Sequence, residues 1–169
     1  MELSKLFILL LATIMFSCGG EKQTTSSTTS NQDVQKTEKQ PEEPVFIPDF
    51  GDLLVELESN MGWNSVNPDW KMRRDSWIES CFAVTETSEK ASLLTEFETY
   101  VEWSAVNPDW SDRRDLWIEE VLSAQSEGEL GKLLAEFESY VLWDVVSPNW
   151  VSIRDRWIKD CENLTEGSW

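Results

Sequence analysis

Apolar and polar residues follow one another along this chain at the spacing of amphipathic helices. Between Ala91 and Val106 the apolar side chains cover an arc of about 200° when each residue is given about 100°. Because that arc is too wide for a helix lying alone on a surface, we expect this helix to pack on two sides. A second helix is predicted from Pro108 to about Ala124, with Trp110 and Trp117 on its apolar face.

This pattern returns every forty residues. The copies are residues 51–90, 91–130 and 131–169, and no insertion disturbs their register. Twelve positions are identical in all three, which in the first copy are Leu53, Leu54, Glu56, Glu58, Trp63, Val66, Pro68, Trp70, Arg74, Asp75, Trp77 and Ile78. The pattern predicts an all-α domain over residues 45–169, built from three tandem helical hairpins. These hairpins would form a short α-solenoid or a compact six-helix array.

Turn signals mark the helix ends. Asn107 and Pro108 predict an N-cap followed by proline at the first helical position, where its missing N–H costs nothing. Ser126 and Glu129 have the spacing of a capping box for the next helix.

The start of the chain has the features of an export signal. An apolar run from Leu6 to Phe16 is too short to span a bilayer and has the length of a signal-peptide core. Ser17 and Cys18 follow it, and this end resembles the lipobox of bacterial lipoproteins. The resemblance implies a signal peptide at residues 1–17 and lipidation of Cys18. An ordinary secretory signal that is cut nearby is the alternative.

A polar stretch separates Cys18 from the repeats. Residues 21–44 contain one aliphatic side chain, Val34, and are rich in Ser, Thr, Gln and Glu. Such a composition cannot bury a core, so residues 18–44 are predicted to be a lipidated, disordered tether. Gly19 follows Cys18, which by the same resemblance favours the outer membrane of the bacterial cell envelope.

Charge and composition narrow the possible functions. The chain has 32 acidic and 14 basic residues and a net charge of −18, so its field repels nucleic acid. It has no His, the usual general base near neutral pH and a common metal ligand. We therefore predict no catalytic residues, no metal site and no cofactor. The threefold repetition also argues against a single active site.

An arginine stands in the middle of the apolar face of each second helix. A charge in that position has to be paired or stacked. We predict that Arg114 pairs with Glu96 and is clamped by Trp rings, and that Asp115 bonds to the neighbouring repeat. Across the repeats this structural clamp comprises Arg74, Arg114, Arg154, Glu56, Glu96, Glu136, Trp70, Trp77, Trp110, Trp117, Trp150 and Trp157. An arginine that binds a ligand is the alternative.

Two cysteines fall within the repeats. Cys81 and Cys161 align with Val121, a core position, and the simplest interpretation is a pair of buried free thiols. A disulfide between them is chemically permitted in an exported protein. It would require the array to curl closed.

These observations favour a membrane-tethered, non-enzymatic module that presents an acidic helical surface to a protein partner. Carbohydrate binding is the alternative, because Trp rings stack on sugars and three platforms could act together. At the edge of the apolar arc lie Trp63, Trp103 and Trp143, the candidate partner surface.

Overall fold

The computed structural model describes residues 47–164, which form an all-α domain as the repeat pattern predicts. Its helices are α1 Phe50–Asn60, α2 Trp70–Ala83, α3 Thr87–Tyr100, α4 Trp110–Ser123, α5 Glu127–Tyr140 and α6 Trp150–Asn163. A 3₁₀ turn separates the two helices of each repeat, at Trp63–Ser65, Trp103–Ala105 and Trp143–Val145. The predicted signal peptide, Cys18 and the tether lie outside the described residues. Within residues 47–164, no helix has the length and apolar character needed to cross a membrane.

The first helix of repeat two is shorter than predicted, because it ends at Tyr100 and not at Val106. Val101 takes an extended conformation, with φ −73° and ψ 127°, and pairs with Val66 of the preceding repeat as an isolated antiparallel bridge. A β-branched residue suits this extended backbone. The 3₁₀ turn Trp103–Ala105 follows two residues later.

The second helix also starts later than predicted. Asn107 is not an N-cap next to a helical Pro108. Its side chain accepts a hydrogen bond from the N–H of Asp109 (3.0 Å), and its carbonyl accepts one from the N–H of Trp110 (2.9 Å). Asn107 and Pro108 therefore build a tight turn, with proline at the position that favours its fixed φ.

The predicted capping box at the start of α5 is formed in part. Ser126 accepts a hydrogen bond from the N–H of Glu129 (3.2 Å), as expected. The carboxylate of Glu129 accepts from the N–H of Gln125 (2.7 Å), and not from that of Ser126. A complete capping box is present at α1, between Asp49 and Asp52.

The three repeats close into a ring. The antiparallel bridges are Val66–Val101, Val106–Val141 and Met61–Val146, and the last of these joins repeat one to repeat three. Indole N–H groups repeat the same cycle. Their bonds are Trp77 to the carbonyl of Leu93 (3.0 Å), Trp117 to that of Leu133 (2.9 Å) and Trp157 to that of Leu53 (2.9 Å). The compact six-helix array is thus the arrangement observed, with approximate threefold symmetry, and the open solenoid is not formed.

The core lies around the axis of this ring. Leu57, Phe97 and Phe137 are equivalent in the three repeats and are fully buried, and the two phenyl rings meet edge to face at 6.4 Å. The apolar pattern is broken at Lys90, which takes the place that Phe50 and Leu130 hold in the other repeats. Lys90 is 6% exposed and its Nζ lies 2.5 Å from a carboxylate oxygen of Glu127.

The ring has two different ends. Because each 3₁₀ turn follows the carboxyl end of a first helix and the bridges join the turn segments, Trp63, Trp103 and Trp143 lie at one end, which we name the tryptophan face. Ile47 precedes α1 and Leu164 follows α6, so the described chain enters and leaves at the opposite end. We name that end the tether end.

Candidate functional site: the tryptophan face

In each repeat one buried glutamate binds three donors beneath the tryptophan face. In repeat two, Glu98 accepts from Nε and Nη2 of Arg114 at 2.6 and 2.7 Å. It also accepts from Nε1 of Trp110 at 3.0 Å. The guanidinium carbon of Arg114 lies 5.8 Å from the ring centroid of Trp103. We name these four residues, with their equivalents, the Trp–Arg–Glu cluster.

The other two repeats reproduce this geometry closely. In repeat one the Arg74–Glu58 bonds are 2.6 and 2.7 Å, the Trp70–Glu58 bond is 2.9 Å, and Arg74 lies 5.7 Å from Trp63. In repeat three the Arg154–Glu138 bonds are both 2.6 Å, the Trp150–Glu138 bond is 2.8 Å, and Arg154 lies 5.3 Å from Trp143. Three equivalent clusters therefore lie around the ring.

Ion pairing keeps the arginine and the glutamate of each cluster charged and in contact. Hydrogen bonding to Glu98 raises the pKa of Arg114, against an opposing effect of burial, so the guanidinium stays protonated. Glu98 is only 4% exposed, and a carboxylate so buried needs the charged, bidentate partner that it has. Stacking of Arg114 on Trp103 then holds an exposed indole against a rigid base.

The sequence-based prediction of the glutamate was wrong. Glu96 pairs with Arg73 of the preceding repeat, at 2.5 and 2.8 Å, and not with Arg114. In the same way Glu136 pairs with Arg113 (2.6 and 2.9 Å). These glutamates join neighbouring repeats, whereas the clusters are internal to a repeat.

The corresponding salt bridge between repeats three and one uses an arginine at a different position. Repeat three has Ile153 where the others have Arg73 and Arg113, and Arg156, one turn further along α6, binds Glu56 instead.

A further part of the predicted clamp also differs. Trp77, with Trp117 and Trp157, bonds to a backbone carbonyl in the core and makes no hydrogen bond to an Arg or Glu of the cluster.

The tryptophans divide into two sets. The six predicted in the clamp, Trp70, Trp77, Trp110, Trp117, Trp150 and Trp157, are at most 1% exposed. Trp63, Trp103 and Trp143 are 56%, 60% and 58% exposed. The sequence analysis placed Trp63, Trp103 and Trp143 at the edge of the apolar arc, and these are the three tryptophans of the repeats that reach solvent. They lie on the 3₁₀ turns, however, and not on the first helices.

Sequence reasoning missed the role of one exposed carboxylate. Asp115 was expected to bond to the neighbouring repeat, but its side chain is 96% exposed and lies 3.8 Å from Nη1 of Arg114. Asp75 and Asp155 are exposed as well. Their identity in all three repeats was the available signal. In repeat two the guanidinium of Arg114 therefore has both an exposed indole and an exposed carboxylate beside it.

The spaces beside the clusters are small. The clefts next to Trp63 and Trp103 have volumes of about 60 and 40 Å³, enough for one or a few water molecules. A ligand of the tryptophan face must therefore lie on the surface and cannot enter a deep pocket.

Two larger open clefts lie elsewhere in the described chain. One, of about 460 Å³, is bordered by Gln125 and Lys132. The other, of about 490 Å³ at the tether end, is bordered by Asp49, Glu127 and Asp160, which already serve a helix cap, Lys90 and Arg156. Within residues 47–164, no three His, Cys, Asp or Glu side chains are grouped to hold a metal ion.

Cys81 and Cys161 are buried free thiols, as the simplest interpretation predicted. The array does curl closed, yet the two cysteines are not bonded. Burial raises the pKa of Cys81 to about 12 and raises that of Cys161 further. Neither thiol is therefore a reactive nucleophile.

Comparison with known proteins gives one family match. Residues 90–141 match a family described as a domain of unknown function, DUF8799. The match includes most of α3 and all of α4 and α5, so it covers the whole of repeat two and the start of repeat three. No curated protein and no solved structure matches the chain. This segment, which carries the central cluster of Trp103 and Arg114, is therefore similar to a family without an assigned activity.

Proposed function

We propose that this chain is a non-enzymatic interaction module that is held in the bacterial cell envelope by a lipid on Cys18 and binds a protein partner through the tryptophan face. One observation carries the proposal: three indoles, each 56–60% exposed, are held by buried ion pairs at one end of a rigid ring. Tryptophan and arginine are the side chains most often found at interface hot spots. Because each ring already lies against an arginine guanidinium, binding should order these side chains at a lower entropic cost than that of free side chains.

The positions of the chain ends support binding at the tryptophan face. The tether would join the domain at Ile47, at the end opposite to the tryptophan face. A lipid anchor at Cys18 would then leave that face free to meet a partner away from the anchoring bilayer. A disordered tether of 24 residues, which the composition of residues 21–44 predicts, would extend about 27 Å on average and would keep the domain clear of the membrane surface.

The charge of this face favours one kind of protein partner. Its exposed carboxylates are Asp69, Asp75, Asp109, Asp112, Asp115, Asp144 and Asp155. In residues 61–75, 101–115 and 141–155, the exposed basic side chain is Lys71, which lies 5.4 Å from the ring centroid of Trp63. A basic or neutral partner surface complements this field, whereas nucleic acid and anionic headgroups do not.

Carbohydrate is the second candidate ligand. It is favoured by the juxtaposition of the exposed indole of Trp103 with the carboxylate of Asp115 and the guanidinium of Arg114. An aromatic ring can stack on a sugar face while the charged groups bond to hydroxyls. The clefts beside Trp63 and Trp103, of about 60 and 40 Å³, are too small to enclose a sugar ring, which makes a sugar polymer a poorer fit than a protein surface.

A comparison of two triple variants tests the proposal. Trp63, Trp103 and Trp143 are changed to Ala in one variant. The control changes Phe82, Leu116 and Leu122, which are 57%, 54% and 55% exposed on the second helices. The lipid-free chain, from residue 19 onward, is used as bait in envelope extracts. We expect a protein retained by the wild type and by the control but lost from the Trp variant. Equal retention by both variants would contradict the proposal.

The anchor is tested separately. Cys18→Ser should move the protein from the membrane fraction to the soluble envelope fraction, because the acylated thiol is then absent. Continued membrane association of this variant would refute lipidation at Cys18. A Cys81→Ser variant, which changes a buried core thiol, should remain with the membrane.

A further inference from the structure

The three clusters are related by the closure of the ring. The backbone bridges and the indole hydrogen bonds between repeats one and two recur between two and three, and again between three and one. A set of contacts that repeats and closes after three steps is a threefold rotation. The clusters therefore stand about 120° apart around one axis, at the same end of the domain.

A comparison of exposed positions among the repeats shows which features are kept. At the other identical positions the side chains are buried or half-buried, and they pack in the core or form the ion pairs described above. Among the positions exposed in all three repeats, the identical ones are those of Trp63, Pro68 and Asp75. Proline is needed for the turn. Neighbouring exposed positions differ, such as Asn64, Ser104 and Asp144 or Lys71, Ser111 and Val151. Besides the turn proline, Trp and Asp are therefore the exposed side chains that all three repeats share.

Each site combines an exposed indole with exposed carboxylates. At Trp63 these are Asp69 and Asp75, and Lys71, 5.4 Å from the ring centroid, offsets one of their charges. In repeat two, Arg114 and Glu98 neutralise each other, so the charge that remains is that of Asp115, 3.8 Å from Nη1. A Lys or Arg side chain suits this arrangement, because its aliphatic stem can lie on the indole while its charged end reaches the carboxylate. The partner should thus present one basic side chain to each site.

We infer, on the basis of the proposed function, that the partner is a homotrimer that docks along its own threefold axis and places the same basic segment on Trp63, Trp103 and Trp143. A trimer can fill three equivalent sites simultaneously and in the same way. A monomer with one such segment can fill only one. Simultaneous contacts raise the effective concentration of the second and third segments, so weak single contacts suffice for firm binding.

Site-specific photo-crosslinking in the native cell tests this inference. A photoreactive residue replaces Asn64, Ser104 and Asp144, the exposed residues that directly follow the three tryptophans, in the full chain. Variants with one, two or three replacements are compared. Controls carry the same group at Glu79, Glu119 and Lys159, equivalent exposed positions on the second helices.

The outcomes separate the inference from the proposed function. We expect each single replacement to crosslink the same peptide of one protein. The variants with one, two and three replacements should add up to one, two and three partner chains, respectively. Crosslinks to different segments, with a single partner chain added even by the triple variant, would overturn the trimer and leave the interaction module intact. Absence of any protein crosslink at all three positions would overturn both.

Discussion

The pairing of Arg114 with Glu98 can be tested against the pairing with Glu96 that the sequence pattern suggested. Glu98→Gln keeps the size of the side chain but removes the charge that faces the guanidinium. Glu98 is 5% and Arg114 23% exposed in their side chains. Removal of one partner from a buried ion pair costs ~3–5 kcal/mol, and we expect about 3 kcal/mol because Arg114 retains some access to water.

Glu96→Gln is the matched control. The Glu96 and Arg73 side chains are 27% and 33% exposed, so the loss of this pair should cost less than about 1 kcal/mol. Urea unfolding of the lipid-free chain, followed by circular dichroism, measures both. With an m-value of about 1.5 kcal/mol/M, the midpoint should fall by about 2 M for Glu98→Gln and by less than about 0.7 M for Glu96→Gln. Equal losses, or a larger loss for Glu96→Gln, would refute the assignment of the cluster.

Three further predictions follow from buried groups. The double variant Lys90→Leu with Glu127→Gln removes both partners of a buried ion pair and introduces the residue that stands at Leu130 in repeat three. It should leave the free energy of unfolding unchanged or raise it, since a buried ion pair is often no better than apolar packing; a large fall in the urea midpoint would contradict this. Gly51→Ala places a methyl carbon 2.2 Å from the carbonyl oxygen of Cys81, so it should lower the free energy of unfolding by ~1–3 kcal/mol in the same assay. An unchanged free energy of unfolding would show that α1 and α2 can separate easily. Cys81 and Cys161 should react with a thiol reagent at pH 8 only after unfolding, because the reagent cannot reach the buried sulfur atoms and burial raises both pKa values, which lowers the thiolate fraction; rapid reaction of the native protein would show that these side chains are accessible.

Much of the fold could be predicted because the apolar pattern is repeated three times. The hairpin unit, the burial of Trp70 and Trp77 and the edge position of Trp63 all follow from helical spacing and internal identity. These features depend on residues close in sequence. The prediction weakened where residues from different repeats meet.

The error over the glutamate has a traceable cause. The first helix was extended to Val106, which placed Trp103 on the helical surface beside Glu96. The helix ends at Tyr100, and the 3₁₀ turn carries Trp103 to the guanidinium that binds Glu98. Helical periodicity could not show this, because the end of α3 is set by the bridge between Val101 and Val66 of another repeat.

Closure of the ring was also hidden in the pattern, although one signal was available. Terminal repeats of an open array usually have a polar outer face. Here Leu53 in the first repeat and Trp157 in the last are the same residues as in the middle repeat, so neither end is capped. They bond to each other in the structure. Whether the repeats form an open array or a closed ring depends on the angle between them, and the turn segments set that angle.

Closure of the ring is tested most directly by an engineered disulfide between Met61 and Val146. These residues face each other between two backbone hydrogen bonds, Gly62 N–H to the Val145 carbonyl (2.7 Å) and Ser147 N–H to the Asn60 carbonyl (2.6 Å). Such non-hydrogen-bonded pairs have Cα atoms about 4.5 Å apart, within reach of a disulfide.

The control is the pair Val66 and Val101, which are neighbours whether the array is closed or open. Both double cysteine variants are oxidised at low concentration and run on a non-reducing gel. A closed ring predicts an intramolecular disulfide in both variants. Formation in the Val66 and Val101 variant, but not in the Met61 and Val146 variant, would contradict the ring and the threefold tryptophan face that depends on it.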